Sequence, residues 1–143
     1  GTYIIGITCS GIQIFKKIGP EKIMVDVIGV GAGVHDRLKE QGLPVVGVNV
    51  AEAPCRNSED FKNKKAEMYW NLRGLFERRE IVIPQIQNHA KLVAELSSMK
   101  YKYDSSGKLQ IVDPEKSPDF ADALALACYG PIISARVPGV LMF

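Results

Sequence analysis

Little in this chain suits it to cross-linking or to common cofactor chemistry. It has 143 residues, with three cysteines, two histidines and one tryptophan. Cys9, Cys55 and Cys128 are odd in number and widely spaced, with no C-x-x-C pair. That argues against a disulfide frame or a zinc site, and for reduced thiols in a cytosolic setting. His35 and His89 lie far apart, and isolated histidines are more often surface or packing residues than ligands. No apolar run reaches membrane-spanning length, and no secretory leader is visible. Charge of one sign is also scarce: 18 Lys and Arg face 16 Asp and Glu, a net charge of +2. This gives no general electrostatic case for nucleic acid, although a local basic face stays open. Repeats and low-complexity tracts are absent. A 46% hydrophobic fraction over this length is enough for one domain with a real core.

Strands and helices alternate along the chain. Residues 2–8 read as a strand, and 12–18 as a short helix or a second extended piece. Residues 23–28 and 44–50 are β-rich apolar runs, joined by a helix over 35–41 that Gly42 closes. Phe61, Met68, Tyr69, Leu72, Leu75 and Phe76 recur at helical spacing, so 60–78 reads as an amphipathic helix. Ile81-Val82-Ile83 before Pro84 reads as a short strand. Leu92, Val93, Leu96 and Met99 mark a further helix. Two short strands at 101–103 and 109–112 flank the turn Asp104-Ser105-Ser106-Gly107. A final helix covers 118–129, and residues 131–143 read as a poorly ordered Pro/Gly-containing tail.

The chemistry is concentrated in a few acids. Asp119 and Asp122 stand three apart at the start of an otherwise apolar helix, so they share a face. Ser117-Pro118 offers a cap and a first-turn proline. Acids in a first turn also suit the helix dipole, and Asp119 reads equally as a dipole acid or as a ligand. Asp122 lies among Ala121, Ala123, Leu124, Leu126 and Ala127, where a carboxylate is costly unless it is paired or holds a cation. Asp26 interrupts the apolar run 23–28 and needs donors or a metal. It reads equally as a bracket for the glycine loop and as a metal ligand.

That loop also invites a dinucleotide reading. The fingerprint G-x-G-x-x-G follows a strand, opens a helix and has an acid roughly 20 residues on. Here the βαβ context and a late acid, Glu52, are present. The spacing Gly29, Gly31, Gly33 leaves Val34 at the third fingerprint position, and Asp26 stands where an aliphatic residue belongs. The reading is kept as a minor alternative.

Four blocks carry a more specific resemblance. They are Val25-Asp26-Val27-Ile28-Gly29-Val30-Gly31-Ala32-Gly33-Val34-His35-Asp36-Arg37-Leu38, Phe61-Lys62-Asn63-Lys64-Lys65-Ala66-Glu67-Met68, Ile81-Val82-Ile83-Pro84 and Ser117-Pro118-Asp119-Phe120-Ala121-Asp122-Ala123-Leu124. In this order, over about residues 22–130, they resemble the nuclease domain of tailed-phage terminase large subunits. The resemblance implies an RNase H-like α/β fold, a mixed sheet flanked by helices, occupying residues 1–143 as one domain. It implies cleavage of concatemeric double-stranded DNA during packaging, in the cytoplasm of a bacterial host. Two Mg²⁺ or Mn²⁺ ions about 4 Å apart would be held by clustered carboxylates. Asp26 falls at a metal-ligating position on a central strand, and Asp119 and Asp122 at the acidic motif opening the last helix, with Asp122 preferred as the direct ligand. The three carboxylates are expected to converge.

The same resemblance sets the partners. In a full-length protein they would be an ATPase motor domain, a small terminase subunit and a portal. No G-x-x-x-x-G-K-[ST] loop is found here, so the motor is not in this chain. The family's first metal-binding Asp lies on an earlier strand, and residues 1–25 contain no Asp. An N-terminally truncated, weakly active nuclease is therefore expected, with a non-catalytic relic or interaction module of the same fold as the alternative. Arg56, Lys62, Lys64 and Lys65 cluster around the start of the 60–78 helix. They read as a phosphate-contacting face or as a solvated basic turn.

Overall fold

The computed structural model describes residues 22–28, 31–83, 85 and 87–134. The elements expected at 2–8 and 12–18, and the tail beyond residue 134, lie outside them. The chain divides into two compact units, Gly1–Val50 with Leu126–Phe143, and Ala51–Ala125. Each is described by itself.

In the first unit the apolar run forms β1 (Ile23–Asp26), followed by α1 (Gly31–Glu40) and β2 (Val45–Val48). β1 and β2 pair in parallel, Ile23 opposite Val45 through Asp26 opposite Val48. A parallel pair needs a crossover, and α1 supplies it. Ile23, Val25 and Leu38 are buried against Val34, Leu43 and Val45, so the helix covers one face of the strand pair. Gly42, at φ +74°, ends α1 in the left-handed conformation, and its N–H donates to the Lys39 carbonyl at 2.9 Å.

α1 begins four residues before its expected start. Gly31 lies so close to the end of β1 that a Cβ would sit 1.6 Å from the Asp26 carbonyl oxygen. Only glycine allows that approach. The low helix propensity of Gly31 and Gly33 is overridden by packing.

The second unit holds α2 (Lys64–Glu77), α3 (His89–Ser98) and the hairpin of β3 (Lys100–Tyr103) with β4 (Leu109–Val112). Lys100 pairs with Val112 and Tyr103 with Leu109, antiparallel. The hairpin turn forms where Asp104-Ser105-Ser106-Gly107 predicts it. Asp104 Oδ1 accepts from the Ser106 N–H, the Ser106 hydroxyl and the Lys108 N–H, and Gly107 takes φ +83°. Asn63 caps α2 through the Ala66 N–H at 3.0 Å. Phe61, Met68, Tyr69, Leu72, Leu109 and Ile111 form the apolar interior where α2 meets β4. The start of α4 (Asp119–Ser134) belongs to this unit, and the division between units falls within that helix.

Two further expectations are corrected. Ile81-Val82-Ile83 is irregular backbone: Val82 is 86% exposed, and no described strand pairs with the segment. β-branched composition makes a strand only where a ladder partner exists. α4 runs to Ser134 with Pro131 inside it, so four residues assigned to the tail are helical. Among the described residues the strands form a parallel pair and a separate antiparallel pair. No helix among them is long and apolar enough to cross a membrane.

Candidate functional site

The acidic residues at the start of α4 are positioned by two neighbouring helices. The first-turn N–H groups of a helix have no intrahelical acceptor. Here the Phe120 and Ala121 N–H groups both donate to Glu95 Oε2 at 2.9 Å, from α3. A carboxylate at that end also suits the helix dipole. Ser117, expected as the cap, instead donates its hydroxyl to Asp119 Oδ1 at 2.6 Å. Asp119 is exposed, and its Oδ2 has no partner among the described residues.

Asp122 is half-buried, and its Oδ1 accepts a short hydrogen bond from the Tyr69 hydroxyl of α2. Tyr69 is only 7% exposed. Burial first, then the hydrogen bond to Asp122 and the nearby charges of Asp122, Glu95 and Asp113, push its phenol well above the ordinary range. The hydroxyl therefore keeps its proton and stays a donor. The carboxylate among apolar residues thus has a neutral hydrogen-bond partner on the neighbouring helix.

Asp26 belongs to the first unit and closes β1. The Ile28 N–H donates to its Oδ1 at 3.0 Å, so one oxygen braces the chain as it leaves the strand. The carboxylate is half-buried, and its Oδ2 has no partner among the described residues. Asp119 and Asp122 thus share one helical turn, while Asp26 stands at a strand end. Carboxylate oxygens of this kind fit a hard divalent cation. Among the described residues, no group of three or more His, Cys, Asp or Glu is arranged to hold a metal ion.

The basic residues proposed for DNA are mostly paired. Lys64 Nζ lies 2.6 Å from Glu52, Lys65 Nζ 2.5 Å from Asp113 and Lys62 Nζ 3.5 Å from Asp104. Arg56 is exposed and makes no ion pair with a described residue. Phosphate contact at the three lysines would require exchanging these partners, and the pairs offset much of the local positive charge.

Two carboxylates escaped the sequence reading. Glu95 carries no local sign of a capping role, because its partners are 25 and 26 residues away. Glu67 is 4% exposed and accepts three backbone N–H groups, from Cys55, Arg56 and Asn57, at 2.9, 3.0 and 2.9 Å. It was visible only as part of a resembling block. Its geometry is that of a bracket for the 55–57 loop.

No family model matches the chain, and no curated protein matches it in sequence. Its fold does match solved structures of large terminase nuclease domains. A mutant nuclease domain of the large terminase subunit gp2 of bacterial virus Sf6, with manganese, aligns at TM-score 0.70 and 21% identity. The alignment covers 82% of this chain and 69% of that one. The Sf6 nuclease domain without that mutation aligns at TM-score 0.69 and 20% identity, over 82% and 68%. The large terminase nuclease from thermophilic phage G20c, with bound magnesium, aligns at TM-score 0.59 and 22% identity, over 81% of this chain and 56% of that one. The chain therefore has the RNase H-like α/β fold of terminase nuclease domains.

Proposed function

We propose that this chain is a metal-dependent DNA endonuclease domain of a phage terminase large subunit, hydrolysing phosphodiester bonds of concatemeric duplex DNA during genome packaging. The observation that carries this reading is the fold shared with terminase nuclease domains solved with manganese and magnesium. Asp26, Asp119 and Asp122 are the acids through which it would hold Mg²⁺ or Mn²⁺. When bound, a divalent pair supplies an activated water and charge stabilisation on the attacking and leaving oxygens. Of the two helical acids, Asp122 is the preferred ligand. Tyr69 then orients it, and Glu95 fixes the helix turn that carries it. Arg56, Lys62, Lys64 and Lys65 would contact duplex phosphates in exchange for their present acidic partners. In a longer protein the domain would work with an ATPase motor, a small subunit and a portal.

Residues 1–25 hold no Asp to match the family's first metal-binding acid, so cleavage by this chain alone is proposed to be slow. Supercoiled plasmid incubated with the chain in Mn²⁺ tests the reading. Slow nicking that Asp26→Asn and Asp122→Asn abolish, with the fold intact by circular dichroism, is the expected result. Robust nicking that survives Asp26→Asn overturns the site assignment.

A second reading is a non-catalytic module of the same fold. It is favoured by the Asp122–Tyr69 hydrogen bond, which gives that acid a structural partner without a metal. Calorimetric titration with Mn²⁺ separates the two. The first requires saturable binding weakened by Asp122→Asn, and the second predicts no binding and no nicking.

A further inference from the structure

The second unit carries an aromatic row that starts on its core, where Trp70 meets the buried Phe61 with ring centroids 6.4 Å apart, and runs out to solvent. Trp70 on α2 meets Tyr101 on β3 edge-on, with centroids 5.3 Å apart, and Tyr101 meets Tyr103 in the same way at 6.1 Å. Tyr101 is 47% exposed and Tyr103 63%, a large apolar area to leave in water. The Arg73 guanidinium stacks over the Trp70 ring, 4.6 Å from its centroid. A cavity of about 330 Å³ opens between Trp70, Arg73, Lys100 and Tyr101, floored by the apolar side chains of Leu72 and Ile111. That volume lies at the lower end of the range of small-ligand sites.

Charge identifies the occupant. All four residues of β3, Lys100-Tyr101-Lys102-Tyr103, are exposed. Alternation along the strand sends the two rings to one face and the two lysines to the other, and Lys100 also borders the cavity beside Tyr101. Arg73 pairs with Glu77 at 2.8 Å, while Lys100 and Lys102 have no ion pair with any described residue. An apolar peptide would leave Lys100, at the cavity rim, unanswered. A duplex could meet the lysines, but its bases are stacked on one another and closed to the tyrosines. A single strand offers both unstacked bases and phosphates, and aromatic rings beside basic side chains are the usual platform for it.

We propose that, on the nuclease reading above, the Trp70–Tyr101–Tyr103 row with Arg73, Lys100 and Lys102 binds unpaired bases of single-stranded DNA. The tyrosine rings stack on bases without regard to sequence, and Arg73 with the long side chains of Lys100 and Lys102, at the margins of the row, answers the phosphates. The face holds DNA and takes no part in bond cleavage, so its occupancy does not depend on a metal.

Trp70 is the only tryptophan of the chain and reports on this face directly. The full chain is titrated with fluorescein-labelled oligothymidylate of about 12 nucleotides, a length within the reach of one such platform. Chelator is present throughout, with unlabelled oligonucleotide used for Trp70 emission. The expected result is a saturable change in both Trp70 emission and oligonucleotide anisotropy, with a matched duplex binding about tenfold more weakly. Tyr101→Leu with Tyr103→Leu should weaken single-strand binding about tenfold or more. Lys100→Glu with Lys102→Glu should lower the salt dependence. No saturable change, equal affinity for the duplex, or a double tyrosine variant that binds like the parent overturns the proposal. Plasmid nicking is scored separately. A chain that nicks but leaves Trp70 emission unchanged loses only this face, and one that binds oligothymidylate but never nicks loses only the nuclease reading.

Discussion

Replacing Glu67 by glutamine should cost a large share of the stability of the chain, although it changes only one atom. The Glu67 carboxylate accepts the Cys55 N–H on one oxygen and the Arg56 and Asn57 N–H groups on the other. The best a glutamine can do is turn its carbonyl toward Arg56 and Asn57 and its amide nitrogen toward Cys55. Two charge-assisted bonds then become neutral ones, at about 1 kcal/mol each. The buried Cys55 N–H faces another donor and goes unsatisfied, at about 1–3 kcal/mol. Easier desolvation of the neutral amide returns part of this, leaving a net loss of about 2–4 kcal/mol. Domains of this kind are stable by about 5–15 kcal/mol, so the effect is easily seen.

Urea unfolding followed by Trp70 emission measures it, because Trp70 stands on the same helix one turn from Glu67. The midpoint should fall with an unchanged slope, since the change alters stability and not the surface exposed. Glu67→Met, which leaves three donors without an acceptor, should fall further. A Glu67→Gln loss below about 0.5 kcal/mol would refute the bracket assignment, because no reorientation of an amide can serve three donors.

Four further outcomes follow from the same physical arguments. Gly31→Ala should unfold or strongly loosen the β1–α1 junction, costing more than about 3 kcal/mol by chemical denaturation, because its methyl would overlap the Asp26 carbonyl. Arg79→Gly should raise stability by about 0.5–1 kcal/mol, since Arg79 follows α2 at φ +56°, a conformation only glycine adopts without strain. Tyr69→Phe should lower stability by about 1–3 kcal/mol by removing the donor to half-buried Asp122. Asp104 is held down to about 2, chiefly by the Ser106 hydroxyl and the Lys108 and Ser106 N–H groups, against an ordinary value of 3.8. Its contribution is therefore complete above about pH 4 and lost as the pH falls toward 2. An acid titration should show this loss in the parent and not in Asp104→Ala.

The parts of the fold legible in the sequence are those specified by neighbours in the chain. The run 23–28 with Gly42 and the run 44–50 gave the parallel β1–α1–β2 unit, because apolar strands and a glycine stop are local signals. The hairpin followed from the Asp104–Gly107 turn for the same reason. The start of α1 was misplaced because propensity penalises Gly31, whereas the reason for that glycine is the strand end it lies against. Ile81–Ile83 had the composition of a strand, and no described strand pairs with it. Asp119 and Asp122 stand out as candidates from helical spacing in an otherwise apolar helix. Their supports, Glu95 and Tyr69, do not, since those contacts span 25 and 53 residues. The same is true of the lysines. Lys64 and Lys65 stand out as positive charge, while the Glu52 and Asp113 that pair with them are 12 and 48 residues away.

The pairing of Asp122 changes what an acid in an apolar helix implies. From sequence, a carboxylate among Ala121, Ala123, Leu124 and Leu126 requires either a partner or a cation. The Tyr69 hydroxyl is such a partner, and its raised pKa keeps it a donor across the ordinary pH range. Glu95 holds the helix turn through the Phe120 and Ala121 N–H groups, so the acid keeps one orientation without a metal. Asp119, three residues earlier on the same helical face, has the opposite character: it is exposed, and among the described residues its carboxylate is held by the Ser117 hydroxyl. A ligand that must not move is better built on the first arrangement than on the second, because an oriented carboxylate loses less freedom on binding a cation. The preference for Asp122 over Asp119 therefore rests on preorganisation rather than on burial. It also makes the Tyr69→Phe variant informative beyond stability. If Asp122 ligates a cation, losing the hydroxyl should weaken Mn²⁺ binding in calorimetry while leaving the Asp119→Asn variant close to the parent. The reverse pattern, with Asp119→Asn abolishing binding and Tyr69→Phe neutral, would assign the ligand to the exposed acid.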